Sequence, residues 1–113
     1  MTSPLHEKRC VACEGGVKPL EGVDLTPLLS EIGPGWVLLE GKKIKKEYVL
    51  KSFSEAVTFV YEVAKIAEDE GHHPDIKISY NKVTLELWTH AIGGLSQNDF
   101  IVAAKINKLP YGI

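Results

Sequence analysis

The fold is decided by the stretch from Ser52 to Gly71, which reads SFSEAVTFVYEVAKIAEDEG. Its apolar residues recur at intervals of three and four, a pattern typical of an amphipathic helix with one buried face. The members of this stripe are Ala56, Val57, Val60, Val63, Ala64 and Ala67, with Phe59 and Ile66 at its margins. Ser52 and Glu55 form the capping-box pattern that opens a helix, and Gly71 suits the turn that closes one. The stretch therefore predicts a helix from Ser52 to about Glu70.

Two alternating apolar segments follow this helix and predict a β-hairpin. Residues 76–80 and 83–87 carry an apolar side chain at every second position, as half-buried strands do. Asn81 and Lys82 form the predicted turn, because asparagine tolerates the positive φ that a two-residue loop often needs. The resulting register pairs Ile78 with Leu85, Lys77 with Glu86 and, at the open end of the hairpin, His73 with His90. We therefore expect two imidazoles to meet there, since facing Cβ atoms lie only about 5 Å apart.

Upstream of this region, the pattern predicts a short helix followed by a first hairpin. The helix begins after Asp24 and ends at Gly33-Pro34, where a glycine and a proline interrupt the apolar spacing. The hairpin strands lie near residues 36–39 and 44–50, on either side of a turn signal.

Downstream, Ser96 and Asp99 form a second capping-box pattern, and Pro110 ends the helix that follows it. The element order is then α-β-β-α-β-β-α. This order predicts an α+β fold with two layers, in which a four-stranded antiparallel sheet carries α-helices packed on one face. Residues 1–22 are rich in glycine and proline and predict an irregular N-terminal arm. Residues 23–113 are predicted to form the single domain.

Composition excludes several classes of protein. The chain has 113 residues, enough for one domain, and its 44% apolar and 25% charged residues are typical of a globular protein. Thirteen basic and fifteen acidic residues leave a net charge of −2, which argues against non-specific nucleic-acid binding. The apolar runs are too short for a membrane span, and no secretory leader is predicted. We therefore expect a cytoplasmic protein.

Cys10 and Cys13 have the Cys-x-x-Cys spacing of zinc sites and redox dithiols. A zinc site needs two further ligands, and His6 is the nearest candidate. A thioredoxin-like motif needs a following helix, but residues 14–19 have the composition of a loop. We interpret the pair as two reduced thiols in the arm, with the zinc and redox sites as alternatives.

Three histidines, His72, His73 and His90, lie close together in the sequence and suggest acid–base chemistry. Imidazole titrates near pH 6.5, so such a cluster can both deliver and accept protons near neutral pH. The alternative is a zinc or iron site made of three histidines and a carboxylate. However, His72 and His73 are adjacent, and neighbouring side chains on extended backbone point to opposite sides. We therefore predict that no metal is bound.

The spacing of these residues resembles the signature of the pterin-4a-carbinolamine dehydratases. The positions that match are Glu68, His72-His73-Pro74, Tyr80, His90 and Asp99. A weaker likeness upstream includes Trp36, Ile44, Tyr48, Phe53, Ala56 and Phe59. The resemblance spans about residues 20–107 and leaves out the arm. One departure is the lysine-rich segment from Lys42 to Lys46, where relatives often carry an arginine.

The resemblance implies a dehydratase that needs neither metal nor cofactor. The family converts 4a-hydroxytetrahydrobiopterin, which aromatic amino-acid hydroxylases form, to quinonoid dihydropterin and water in tetrahydrobiopterin recycling. The catalytic residues would be His72, His73 and His90. The residues that would bind the substrate or support these histidines are Glu68, Thr89 and Asp99.

The sequence leaves two other functions open and predicts self-association. Some relatives act as dimerisation cofactors for a homeodomain transcription factor, so a non-catalytic interaction module is one alternative, and an enzyme acting on another pterin is the second.

The family also forms dimers and tetramers. Trp88, on the strand face opposite Leu85 and Leu87, has no predicted partner within the chain. We therefore expect a homodimer or homotetramer.

Overall fold

The computed structural model describes residues 4–11 and 18–111, and its elements follow the predicted order. The helices and strands of this part of the chain are α1 Leu25–Ile32, β1 Val37–Leu39, β2 Lys43–Val49, α2 Phe53–Glu70, β3 Asp75–Ser79, β4 Lys82–Leu87 and α3 Gln97–Asn107. Short 3-10 turns lie at Leu5–Glu7, Gly22–Asp24 and His90–Ile92. The predicted α+β fold class is therefore confirmed. Within the same residues, no helix combines the length and the apolar character that crossing a membrane requires.

The four strands form one antiparallel sheet in the order β1-β2-β4-β3. One face of the two central strands is almost completely buried, and its side chains are Ile44, Tyr48, Val83, Leu85 and Leu87. The other face carries charged residues, among them Lys45 and Glu86, which pair across β2 and β4. Because only one face is apolar, the helices pack on that face alone, as predicted.

The predicted register of the second hairpin is wrong by two residues. Its turn residues are Tyr80 and Asn81 instead of Asn81 and Lys82, and Tyr80 adopts a φ of 54°. Asn81 is tied to the end of β2, because its side-chain amide donates to the Leu50 carbonyl at 3.0 Å. The Asn81 carbonyl in turn accepts from the Leu50 N–H at 2.8 Å. These two bonds to another hairpin hold the turn in its observed position.

The slip changes the cross-strand partners but not the faces of the strands. The observed pairs include Ile78 with Val83, Ile76 with Leu85, Lys77 with Thr84 and Asp75 with Glu86. Side chains alternate with a period of two, so a two-residue slip keeps the same apolar residues on the helix side. The predicted pair of Lys77 and Glu86 is therefore wrong. Regular pairing ends at Asp75, since Pro74 has no N–H to donate.

Helix α2 is confirmed, but its buried face is rotated from the predicted one. Val57 is 45% exposed, whereas Phe59, predicted at the margin of the stripe, is fully buried. The helix thus turns Phe59 towards the sheet, where its ring centroid lies 4.4 Å from that of Tyr48. The Ser52 hydroxyl accepts from the Glu55 N–H at 3.1 Å. The Glu55 carboxylate, however, accepts from the backbone N–H of Lys51 instead of that of Ser52. Only half of the predicted capping box is therefore present.

Helix α3 lies in the centre of the core, and the arm packs against the same core. Nearly every residue of α3 is buried, with Asn98 to Ala104 and Ile106 all largely excluded from water. In the arm, Leu5 is 1% exposed and belongs to the hydrophobic core. Its N–H donates to the Glu31 carboxylate of α1 at 2.8 Å. The described part of the arm is therefore joined to the domain by both apolar and polar contacts.

Candidate active site

The three predicted site histidines line one open cavity of about 520 Å³. His72 and His73 reach it from the end of α2, and His90 reaches it from the turn after β4. The arm residues Cys10 and Val11 complete its wall. A cavity of this size is in the range of small-molecule sites. The fold therefore gathers side chains from three separate parts of the chain around one space.

His72 is placed by the turn that ends α2. Gly71 adopts a φ of 65° and a ψ of 27°, a left-handed conformation that glycine favours because it has no Cβ. The His72 N–H donates back to the Ala67 carbonyl at 3.1 Å. The chain then leaves the helix abruptly, and the Nε2 of His72 lies 2.6 Å from Oδ1 of Asp99. The side chains of this pair are 13% and 0% exposed, so water hardly reaches the contact.

Asp99 is the buried acid of the site. Its Oδ2 accepts from the Ser96 N–H at 2.9 Å and from the Thr89 hydroxyl at 2.8 Å. Ser96 and Asp99 form the reciprocal capping box that the sequence predicts. Because Thr89 donates its single proton to Asp99, the Ser96 hydroxyl donates to Thr89 at 2.7 Å. A carboxylate oxygen accepts, so Nε2 of His72 is the donor in this contact.

His73 is oriented by the second predicted acid, Glu68. The Nε2 of His73 lies 2.5 Å from Oε2 of Glu68, which stands in the last turns of α2. The two side chains are 59% and 76% exposed, so water competes for this contact. Glu68 therefore orients His73 less firmly than Asp99 orients His72.

His90 is positioned by a tight turn and by an aromatic contact. It begins the 3-10 turn His90–Ile92, which is closed by a bond from the Thr89 N–H to the Gly94 carbonyl at 2.7 Å. Its ring stacks on Trp88, with centroids 4.0 Å apart and an angle of 27° between the planes. Stacking fixes the plane of the imidazole but leaves its nitrogen atoms accessible from the edge.

The prediction that Trp88 has no partner within the chain is wrong. Besides stacking on His90, its indole N–H donates to the Asp75 carboxylate at 3.2 Å. The Lys43 ammonium lies 5.0 Å from the centroid of the indole ring, within the range of a cation–π contact. Trp88 also lines the cavity, so it is a site residue that sequence reasoning assigned to an interface instead.

The predicted cross-strand pair of His73 and His90 is also wrong. Strand β3 begins at Asp75 and β4 ends at Leu87, so both histidines lie outside the paired segment. They come to the same cavity because the end of α2 and the turn after β4 both border it.

Sequence reasoning missed the arm as a wall of the cavity. The Cys10 N–H donates to Oε1 of Glu70 at 2.8 Å, and the thiol is free. Burial raises the pKa of the Cys10 thiol to about 12, and the nearby Glu70 carboxylate adds to the rise. The Cys-x-x-Cys spacing was the signal available in the sequence. Cys13 lies outside the described residues, so the zinc and redox interpretations of the pair stay untested.

Glu70 is a buried acid that also went unpredicted. Its side chain is 1% exposed and lies 2.5 Å from Nζ of Lys105 and 3.3 Å from Nη1 of Arg9. Desolvation opposes its ionisation, but the Cys10 N–H, Lys105 and Arg9 together hold the pKa of Glu70 below its ordinary value. The available signal was its position three residues after Ala67, on the buried stripe of α2.

Among the described residues, no three histidine, cysteine or acidic side chains are grouped as a metal site would require. Glu68 and Asp99 each contact a different histidine. The absence of a metal from the reaction stays a prediction.

Comparison with known proteins gives consistent matches. A family model described as pterin 4 alpha carbinolamine dehydratase matches residues 18–109. A Rickettsia bellii protein, provisionally named a pterin-4-alpha-carbinolamine dehydratase, is 43% identical over 109 residues that cover 96% of each chain. A Nitrosospira multiformis protein with the same provisional name is 49% identical over 105 residues, which cover 93% of this chain and 91% of that one.

Solved structures give the same picture for the fold. A crystal structure from Brucella melitensis, described as a transcriptional coactivator/pterin dehydratase, matches with a TM-score of 0.73 and 31% identity. That match covers 80% of this chain and 96% of the Brucella chain. A pterin dehydratase-like RuBisCO assembly factor of the α-carboxysome matches with a TM-score of 0.56 and 19% identity. The likeness to this last protein concerns the fold alone.

Proposed function

Because the chain belongs to the pterin-4a-carbinolamine dehydratase family, we propose that it converts 4a-hydroxytetrahydrobiopterin to quinonoid dihydropterin and water. The observation that carries this proposal is the cavity lined by His72, His73 and His90, two of which contact carboxylates. In this role the protein works in the cytoplasm in tetrahydrobiopterin recycling. It is coupled there to the aromatic amino-acid hydroxylase that forms the carbinolamine.

The proposed reaction is an elimination that needs only proton transfer. The C4a–O bond breaks, and the oxygen leaves as water after it gains one proton. N5 loses its proton, and a double bond forms between N5 and C4a. The pterin is neither oxidised nor reduced in this step. Imidazole suits both transfers because its ordinary pKa lies near neutrality.

The three histidines contact different neighbouring side chains and differ in exposure, which suggests that they have different roles in the reaction. His72 is the most enclosed, and its contact with the buried Asp99 suits a ring that holds and orients the substrate. His73 and His90 are both exposed at the cavity. We therefore assign these two rings to the reacting edge of the pterin, where one assists departure of the hydroxyl group and the other assists loss of the N5 proton.

Turnover of synthetic 4a-hydroxytetrahydrobiopterin tests the proposal. We expect dehydration, followed by ultraviolet absorbance, to be far faster than the uncatalysed reaction. Treatment with EDTA followed by dialysis should leave kcat unchanged, because the proton transfers require imidazole and no metal. Activity that disappears and returns only with zinc or iron would contradict the metal-free mechanism.

Turnover of a carbinolamine with another 6-substituent, but not of the biopterin form, would support the dehydration reaction and contradict the proposed substrate. No turnover of either would favour an interaction module.

We further infer that the chain forms a homodimer or homotetramer through α2 and β3. Phe53, Val57 and Tyr61 form an apolar stripe at four-residue intervals on α2, and they are 53%, 45% and 63% exposed. Strand β3 is an edge of the sheet, and its Ile76 and Ile78 are 37% and 38% exposed. An edge strand beside an exposed apolar stripe is suited to pairing with a second copy.

Sedimentation equilibrium at micromolar concentration should therefore give a multiple of the 12.5 kDa chain mass. Val57→Asp places a charge in the stripe and should shift the protein towards the monomer. Val23→Asp is the matched control, because Val23 is 87% exposed and lies outside α2. A wild-type mass near 12.5 kDa, or equal dissociation by the two variants, would contradict this interface.

A further inference from the structure

A three-residue part of the N-terminal arm, residues 9–11, contributes to the cavity; we call it the arm segment. Cys10 and Val11 line the cavity together with His72 and His73. The arm segment precedes the region matched by the family model, which begins at residue 18. The likeness to the Rickettsia bellii protein covers 96% of the chain and so includes the arm segment.

Two buried side chains hold the arm segment by its backbone. Oε1 of Glu70 accepts from the Cys10 N–H at 2.8 Å. Asn98 contacts Val11 twice, since its Oδ1 accepts from the Val11 N–H at 3.1 Å and its Nδ2 donates to the Val11 carbonyl at 2.6 Å. The Glu70 side chain is 1% exposed and Asn98 is 5% exposed. Hydrogen bonds made by side chains that are shielded from water are costly to lose, so the arm segment is firmly held.

The two anchoring residues lie next to the His72–Asp99 pair in the sequence. Glu70 is two residues before His72, at the end of α2, and Asn98 directly precedes Asp99 in the first turn of α3. The arm segment thus bridges the two pieces of chain whose separation sets the 2.6 Å contact between His72 and Asp99. A displaced arm segment would remove this bridge and leave the Glu70–Lys105 ion pair to join the end of α2 to α3.

We propose that the arm segment is a positioning element of the active site, which fixes the contact of His72 with Asp99 and closes the cavity wall against the bound pterin. The identity of the ligand rests on the proposed function, whereas the bridge between α2 and α3 does not. Cys10 contributes an uncharged wall. Its thiol carries almost no thiolate at neutral pH, because its pKa is about 12.

The test removes the anchoring bonds without touching a histidine. Val11→Pro deletes the N–H that donates to Asn98, since proline has none. Val11→Ala keeps this N–H and shortens only the side chain, so it separates loss of the backbone bond from loss of the side chain. Asn98→Ala breaks both bonds to Val11 from the α3 side and is the second variant. All are made with Cys13→Ser, so that Cys10 is the single thiol of the chain.

We expect Val11→Pro and Asn98→Ala to speed alkylation of Cys10 by iodoacetamide at least about tenfold, because a released thiol regains a pKa near 8.5. Their kcat should fall about 10- to 100-fold as the contact of His72 with Asp99 loosens, since small misplacements of catalytic groups are costly. KM should rise as the wall opens, and the pH dependence of kcat should shift. Val11→Ala keeps the N–H, so its Cys10 should be alkylated about as slowly as that of the parent protein. Val23→Ala removes the same methyl groups from a residue that is 87% exposed and lies outside the cavity, so it should match the parent protein in every measurement. Circular dichroism should show the fold intact in all variants.

Faster alkylation with unchanged kcat, KM and pH profile in both variants would overturn the inference, and so would rapid alkylation of the parent protein. If the parent has no turnover, the readout becomes protection of Cys10 from iodoacetamide by 7,8-dihydrobiopterin. If 7,8-dihydrobiopterin protects Cys10 in the parent protein but not in Val11→Pro, the arm segment is supported as a ligand wall. In that case the missing turnover contradicts the proposed dehydratase activity and leaves the inference about the arm segment standing. Absence of both turnover and protection would overturn both proposals.

Discussion

Replacement of His73 or His90 with alanine is expected to lower kcat about 100- to 10,000-fold in each case, the range typical of general acid–base groups. Both rings line the cavity, and both are exposed to a ligand that enters it. Neither ring is part of the core, so each variant should fold like the wild type. The measurement is kcat for carbinolamine dehydration, with circular dichroism as the folding control.

The double variant tests whether His73 and His90 serve the same step. If the elimination needs both rings, the second substitution adds little, because residues that act as a unit are strongly non-additive. We therefore expect the double variant to be little slower than the slower single variant. His6→Ala is the matched control, because His6 lies outside this cavity, and it should keep full activity. Losses that multiply would show two independent contributions. Full activity in either folded single variant would remove that histidine from the mechanism.

Elements marked by local patterns could be predicted from the sequence. Helix α2 ends at Gly71, and α3 begins with the Ser96–Asp99 capping box, because such signals involve residues only a few positions apart. The second of these signals also bears on the site. The carboxylate that caps α3 is the same one that contacts His72. The family signature and the local cap therefore indicate the same acid for different physical reasons.

Features that depend on distant contacts could not be predicted. The register of the second hairpin is set by Asn81, whose partner Leu50 lies 31 residues earlier at the end of another hairpin. The apolar alternation cannot distinguish registers that differ by two residues. The anchoring of Cys10 by Glu70 joins residues 60 positions apart. Neither contact leaves a periodic pattern, so the predicted pairing of the histidines failed and the arm was missed as a wall of the site.

Asp99→Asn is expected to lower both the stability of the fold and the rate of turnover. Three donors converge on its buried carboxylate, namely the Ser96 N–H, the Thr89 hydroxyl and Nε2 of His72. The asparagine side chain has one acceptor oxygen and one NH₂ group, so at least one of these donors faces another donor. A buried polar group left unsatisfied costs about 1–3 kcal/mol, and loss of the charge near the helix N-terminus costs about 0.3–1 kcal/mol more. We expect kcat to fall at least about 100-fold, because His72 loses the acceptor that fixes its tautomer.

Glu68→Gln is the matched control, because it makes the same change from acid to amide at a side chain that is 76% exposed. Water replaces the lost contact there, so the free energy of unfolding should change by less than about 0.5 kcal/mol. Its kcat should still fall, since His73 loses the carboxylate that orients it. Urea denaturation gives the two stabilities, and carbinolamine turnover gives the two rates. Equal urea midpoints for Asp99→Asn and the wild type would show that the buried network contributes nothing to the fold. Because one carboxylate both caps α3 and contacts His72, Asp99→Asn should lower both the free energy of unfolding and kcat. Glu68→Gln should lower kcat and leave the free energy of unfolding nearly unchanged.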